Sequence, residues 1–72
     1  MPRLPILSGE DVIRMLQLLG FERIRQKGSH VMLRRAGIGC VVPLHREIKT
    51  GTLASIIRQA GLTTEDFLSA TQ

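Results

Sequence analysis

Three short segments between residues 22 and 43 constrain the fold of this chain more than any other feature. The middle segment, His30-Val31-Met32-Leu33-Arg34-Arg35, has the alternation of a β-strand. Turn-forming residues precede and follow it, as Lys27-Gly28-Ser29 and Ala36-Gly37-Ile38-Gly39, and Pro43 ends the third segment. Because these connections are so short, the pattern predicts a three-stranded antiparallel meander with strands at residues 22–26, 30–35 and 40–42.

Alternation also predicts which side chains face the core. Val31 and Leu33 fall on one face of the middle strand, and Ile24 of the first strand is expected to point inward with them. His30 and Met32 then lie on the opposite face. An imidazole on an open face can carry a proton near neutral pH, so His30 is a candidate for chemistry on phosphates.

Helical patterns flank the predicted strands. Ser8 and Asp11 have the spacing of a capping box, apolar residues follow at helical spacing, and Gly20 is placed to end the first helix. A second helix is predicted from about Thr50 through Ala60, ended by Gly61. The other predictions, in chain order, are an extended lead-in over residues 1–7, a polar loop over 44–49 and a short helix capped by Thr63 and Asp66 that holds Phe67 and Leu68.

This order predicts an α+β fold of the form α-β-β-β-α, as one domain over residues 1–72, with both main helices on one face of the sheet. The core of such a small chain is thin. A single cysteine, Cys40, excludes an internal disulfide and is expected to be a small buried residue in a reducing cytosol. No spacing of cysteine and histidine resembles a zinc site, so no metal or other cofactor is expected.

No segment has the roughly 18 consecutive apolar residues of a membrane span. The start of the sequence lacks the apolar stretch of a signal peptide. The expected location is therefore the cytoplasm, with no membrane partner.

The charge of the chain favours a polyanionic partner. The formal net charge is +4, and eight of the ten Lys and Arg residues are arginine, whose planar group makes two-point contacts with phosphate. The positive charge is concentrated in the strand region, at Arg23, Arg25, Lys27, Arg34 and Arg35. Trp and Tyr are absent, so contacts with nucleic acid are expected mainly at the backbone.

Five motifs in order resemble the HicA-type toxins, the small mRNA-cleaving members of toxin–antitoxin pairs. Matching features extend from Ser8 to Phe67. The motifs are Leu19-Gly20-Phe21, Gly28-Ser29-His30, Val42-Pro43-Leu44-His45, Lys49-Thr50-Gly51-Thr52-Leu53 and Ile56-Ile57-Arg58-Gln59-Ala60-Gly61-Leu62, the last followed by Glu65 and Phe67.

The resemblance implies a fold like the double-stranded-RNA-binding domain, which agrees with the predicted α-β-β-β-α order. It also implies a ribonuclease that cleaves mRNA and blocks translation, with His30 in the position of the catalytic histidine. A HicB-like antitoxin would bind and mask that surface. Met32 on the open face fits such a contact.

A metal-free ribonuclease needs a general base, a general acid and cations near the phosphate. We expect His30 to be one proton carrier, while His45 is either the second or a residue that fixes its loop through a hydrogen bond to a backbone carbonyl, the alternative that the sequence favours. The N-terminus of the second helix could receive a phosphate oxygen, although plain capping by its threonines is the favoured interpretation. The residues predicted to bind RNA phosphate are Lys27, Ser29, Arg23, Arg25, Arg34, Lys49 and Thr50.

Two other functions fit the same sequence. One is a non-catalytic RNA-binding module of the same fold, which would use the basic face without cleaving. The other is an interaction protein whose open sheet face only docks another protein, a role that leaves the arginines unexplained.

Overall fold

The computed structural model describes residues 3–71 and has the predicted α-β-β-β-α order. The first and third strands are longer than predicted, because only two residues lie between consecutive strands, and the middle strand spans residues 30–35 as predicted. Residues 1 and 2 of the predicted lead-in lie outside the described part of the chain. The elements are α1 (Gly9–Leu18), β1 (Glu22–Lys27), β2 (His30–Arg35), β3 (Ile38–Pro43), α2 (Thr50–Gln59), α3 (Thr64–Leu68) and a 3₁₀ turn at Ser69–Thr71.

Local sequence chemistry sets both ends of α1. The Ser8 Oγ accepts a hydrogen bond from the Asp11 amide at 3.1 Å, and the Asp11 carboxylate accepts one from the Ser8 amide at 3.2 Å. The bond from the Ser8 amide, together with the nearby Ser8 hydroxyl, stabilises the charged carboxylate and lowers the pKa of Asp11. At the other end Gly20 has a φ of 95°, and the Phe21 amide turns back to the Leu16 carbonyl at 3.0 Å. The predicted capping box and glycine stop are confirmed.

The same two devices serve α2 and α3. Gly61 ends α2 with a φ of 72°, and the Leu62 amide donates to the Ile57 carbonyl at 3.1 Å. Thr63 and Asp66 form the predicted capping box of α3, with bonds of 3.0 and 3.1 Å.

The three strands form an antiparallel sheet in the order β1-β2-β3, so β2 is central. The second turn consists of Ala36 and Gly37, whose φ angles are 49° and 83°. Two consecutive positive φ values are the mark of a type I′ turn, which matches the twist of a tight hairpin. These two-residue turns fix the register of the sheet.

Both helices pack on one face of the sheet, as predicted. Val31 and Leu33 of β2 and Val42 of β3 are fully buried there, and Cys40 is 2% exposed. They belong to a single apolar cluster with residues of the helices and their ends, namely Val12, Ile13, Met15, Leu16, Leu53, Ile56, Ile57, Ala60 and Phe67.

The prediction that Ile24 points inward is wrong. Ile24 is 46% exposed, because the pairing of β1 with β2 is interrupted by a bulge between Arg23 and Arg25. All six residues of β1 are exposed. This strand lies at one edge of the sheet.

The segment between β3 and α2, predicted as a polar loop, contains a core residue. Ile48 is 2% exposed, and its amide donates to the Leu7 carbonyl at 2.7 Å, which ties the lead-in to this segment. The Gly9 amide donates to the His45 carbonyl at 2.8 Å. The start of α1 and the end of β3 are therefore held together by main-chain bonds.

Candidate functional site

The face of the sheet opposite the helices gathers a histidine, two cations and two apolar side chains. In the register, His30 is opposite Lys27, while Met32 is opposite both Arg25 and Val41. Directly opposed residues of antiparallel strands project to the same side. These five residues, which we call the open face, line a depression of about 170 Å³.

His30 reaches the open face because the Gly28-Ser29 turn places it at the first position of β2. It is exposed, as is Lys27 on the other side of the turn. Within residues 3–71 neither side chain has a hydrogen bond or an ion pair. Both can therefore turn toward a ligand without breaking a hydrogen bond or an ion pair within the described residues.

The cations of the open face are not neutralised by neighbouring carboxylates. Across the described residues the single ion pair joins Arg14 and Asp11 of α1, at 3.6 Å. Within residues 3–71, Arg25 and Lys27 beside His30 thus have no carboxylate partner. Positive charge of this kind is what the binding of a phosphate group requires.

Arg34 shares the side of β2 that carries His30 and Met32, but it lies toward the far end of the strand. It is opposite Glu22 in the register and does not line the depression. Its place is the periphery of the open face.

The bulge separates Arg23 from the predicted group. Arg23 is opposite the buried Leu33, so it projects to the helix side of the sheet, where its Nη2 donates to the Gln26 Oε1 at 2.8 Å. Arg25, two residues later, is opposite Met32 on the open face. The structure therefore brings Arg25 to His30 and does not bring Arg23 there.

Arg35, part of the same run of positive charge, has a structural contact. Its Nη1 donates to the Leu19 carbonyl at 2.7 Å, and its guanidinium carbon lies 4.8 Å from the centre of the Phe21 ring. A cation at this point satisfies a carbonyl at the C-terminus of α1. Arg35 is therefore engaged within the protein and is not one of the cations available to a ligand on the open face.

Ser29 and His45 act through their main chains in the structure. The Ser29 carbonyl accepts from the Leu44 amide at 2.7 Å, and the His45 carbonyl accepts from Gly9. Both side chains are exposed, and within residues 3–71 neither makes a hydrogen bond. The bond expected to join the His45 imidazole to a backbone carbonyl is therefore not present, and the loop is fixed by the His45 main chain instead.

Lys49 and Thr50 lie at a different place, the start of α2. They line a second, wide depression of about 530 Å³ with Ile6, Glu47 and Ile48, which shares no residue with the open face. The N-cap of α2 is Lys49, without a side-chain hydrogen bond. The interpretation of the threonines as caps is wrong, because the helix starts one residue earlier than such a cap requires.

Val41 is the open-face residue that is not among the site residues predicted from the sequence. Val42 is buried and Val41 is 37% exposed, so adjacent valines point to opposite faces. Because Cys40 is expected to be buried, alternation along the third strand already predicts that Val41 lies on the opposite face.

In the described part of the chain, no three His, Cys, Asp or Glu side chains are grouped to hold a metal ion. None of the helices formed by residues 3–71 is long and apolar enough to cross a bilayer.

Comparison with known proteins gives one family. No curated protein sequence matches the chain. The family model described as the HicA toxin of bacterial toxin-antitoxin matches residues 9–62, a range that includes the whole open face and extends from the start of α1 past the end of α2. With well over half of its 72 residues in this match, the chain belongs to the HicA toxin family of bacterial toxin–antitoxin systems.

Proposed function

We propose that the chain is a metal-independent endoribonuclease that cleaves mRNA on the open face, with His30 as general acid or base. The observation that carries the proposal is the placement of His30, Lys27 and Arg25 around one depression. Membership of the HicA toxin family supports a toxic activity for this surface. Blocked translation would follow from loss of intact mRNA.

The residues of the open face are of the types that metal-free RNA cleavage requires. A base removes the proton of a ribose 2′-hydroxyl, and that oxygen attacks the adjacent phosphorus. The bond from phosphorus to the 5′-oxygen breaks, and an acid protonates this oxygen as it leaves. The products are a 2′,3′-cyclic phosphate and a 5′-hydroxyl. Histidine suits either proton transfer, and Lys27 and Arg25 would stabilise the charge on the phosphorane.

The second proton carrier is chosen among His45, Lys27 and water. Lys27 is directly opposite His30 in the register, whereas His45 does not line the depression. We therefore propose that His30 works with Lys27 or with water, and that His45 is dispensable for the chemistry. Ser29, beside His30 in the turn, has a free hydroxyl for the phosphate.

A HicB-like antitoxin would neutralise the toxin by covering the open face in the cytoplasm. The support is chemical, since exposed Val41 and half-buried Met32 offer apolar contact area among cations. A partner with acidic residues around an apolar centre would match that pattern.

The two histidines of the chain are matched probes of this proposal. His30→Ala and His45→Ala remove the same exposed group near the open end of the β2–β3 hairpin, where His30 lines the depression and His45 does not. We expect His30→Ala to abolish growth arrest and to slow cleavage of RNA by the purified protein about 100-fold or more. We expect His45→Ala to stay within a few-fold of the wild type.

The chemistry is read from the fragment ends. Cleavage by wild-type protein should continue in EDTA and leave 5′-hydroxyl ends. Cleavage that EDTA abolishes contradicts metal independence. RNA binding by the wild type without cleavage would indicate the non-catalytic RNA-binding module instead.

The positive charge is tested by two arginines of one strand. Arg25→Ala, made in the His30→Ala protein, should weaken RNA binding and reduce the slope of log K against log salt by about 0.7, the value for one phosphate contact on a single strand. Arg23→Ala is the matched control on the other side of the sheet and should change neither quantity. Equal effects of the two substitutions contradict the assignment of RNA to the open face.

A further inference from the structure

An apolar pair at the centre of the open face has no role in the chemistry of His30. Met32 on the central strand is directly opposite Val41 on β3, and both line the depression with His30. Met32 is half-buried and Val41 is 37% exposed, so each presents hydrocarbon to solvent. Binding of a phosphate alone requires the cations and gains nothing from this pair.

The arrangement of charge around the pair indicates what could cover it. Arg25 is directly opposite Met32 on the other flank, and Lys27 and His30 adjoin along the strands. The depression therefore has an apolar part next to an unneutralised cationic part. A nucleotide has the same division, since the flat face of its base is apolar and its phosphate is anionic.

We propose that Met32 and Val41 form a subsite for the nucleobase adjacent to the scissile phosphodiester. The inference rests on the proposed function, because His30 defines which phosphodiester that is. Methionine suits the role in a chain without Trp or Tyr, since its flexible thioether makes favourable contacts with aromatic rings.

This subsite determines the kind of RNA that can be cleaved. A base inside a duplex is stacked on both faces and cannot lie against a sheet, so the base must be unstacked when it binds. The open face would then select single-stranded RNA or a loop. Van der Waals contact without an array of hydrogen bonds also predicts weak discrimination among the four bases.

A double-mutant cycle, with one change in the protein and the other in the ligand, tests the contact directly. The ligand is a fluorescent oligodeoxynucleotide of a few residues, in which the central base is present or is replaced by an abasic sugar. Without a 2′-hydroxyl it cannot be cleaved by the proposed mechanism, so its Kd can be measured by anisotropy with His30 intact. The proteins are the wild type, the double variant Met32→Ser with Val41→Thr, and Ile24→Thr, which alters an exposed apolar residue outside the depression.

We expect removal of the base to raise the Kd of the wild type and of Ile24→Thr about five- to tenfold, a loss comparable to that of one modest apolar contact. The double variant should bind both ligands with the same weak affinity. Met32→Ser alone should give an intermediate result, and it replaces the double variant if that protein does not fold by circular dichroism.

A base effect of the same size in all these proteins overturns the subsite. So does the absence of any base effect in the wild type, which would leave the apolar pair to a protein partner. The nuclease is tested separately by the same oligonucleotide with one ribonucleotide at its centre. If base removal has the expected protein-dependent effect on Kd but this ligand is not cleaved, the proposed function fails, while binding of a base by Met32 and Val41 stands.

Discussion

Gly9 provides a sharp test of how the first helix is attached to the sheet. Its amide donates to the His45 carbonyl at 2.8 Å. A methyl group on its Cα would meet the Pro43 carbonyl oxygen and would lie 2.9 Å from the Leu44 Cα. Both are main-chain atoms, which cannot rotate away as a side chain would. Gly9→Ala should therefore destabilise the fold, although alanine is the better helix former.

The magnitude follows from three contributions. Overpacking a filled site costs about 1–3 kcal/mol, and weakening the hydrogen bond to His45 costs about 1 kcal/mol. The helix propensity of alanine offsets about 1 kcal/mol of this. The expected net loss for Gly9→Ala is about 1–3 kcal/mol. For a domain of this size it lowers the Tm by about 5–20 °C.

Gly51 is the matched control in the first turn of α2. A Cβ added there meets no heavy atom within 4 Å. Gly51→Ala therefore gains the helix propensity of alanine without a steric clash and should stabilise the fold by about 0.5–1 kcal/mol. Both changes are made in the His30→Ala protein, so that toxicity does not limit production. Unfolding is followed by far-UV circular dichroism in heat and in urea. A Gly9→Ala protein as stable as Gly51→Ala would refute the proposed close contact.

Further expectations concern the core and the bulge. Leu33→Ala should cost about 2–5 kcal/mol and Ile24→Ala less than about 1 kcal/mol in urea unfolding, because Leu33 is fully buried and Ile24 is bulged outward; similar losses would mean that Ile24 faces the core. Phe67→Ala should cost about 3–5 kcal/mol, since the fully buried ring ties α3 to the core; a small loss would show that α3 is dispensable. Burial raises the pKa of the Cys40 thiol to about 11, so a disulfide reagent at mildly alkaline pH should label it far more slowly in the folded protein than in urea; equal rates would contradict its burial.

The order of elements is predictable from the sequence because its signals are local. Ser8 with Asp11, and Thr63 with Asp66, satisfy amides within one helical turn of themselves. Gly20 adopts the positive φ that ends α1. Such bonds depend on neighbours in the sequence and need no knowledge of the tertiary structure.

The arrangement of the site is less predictable because a bulge is set by the pairing of two strands. Unbroken alternation would place Arg23 and Arg25 on one face. The bulge at Ile24 shifts the phase by one residue, so they point to opposite faces. Likewise, a count of positive charges includes Arg35, whose contacts with Leu19 and Phe21 are visible only in the folded chain.

The position of β1 at the edge of the sheet has a consequence for self-association. Its outer amides and carbonyls face away from β2, and a row of such groups is a template on which another chain can add a strand. The bulge breaks the regular spacing of that row, and Arg23, Arg25 and Lys27 would repel the same strand of a second copy. Deleting Ile24 would make the pairing of β1 with β2 regular. It would also leave β1 with a straight outer edge, which favours aggregation. The irregularity that divides the arginines between two faces thus also discourages β1 from pairing with β1 of a second copy.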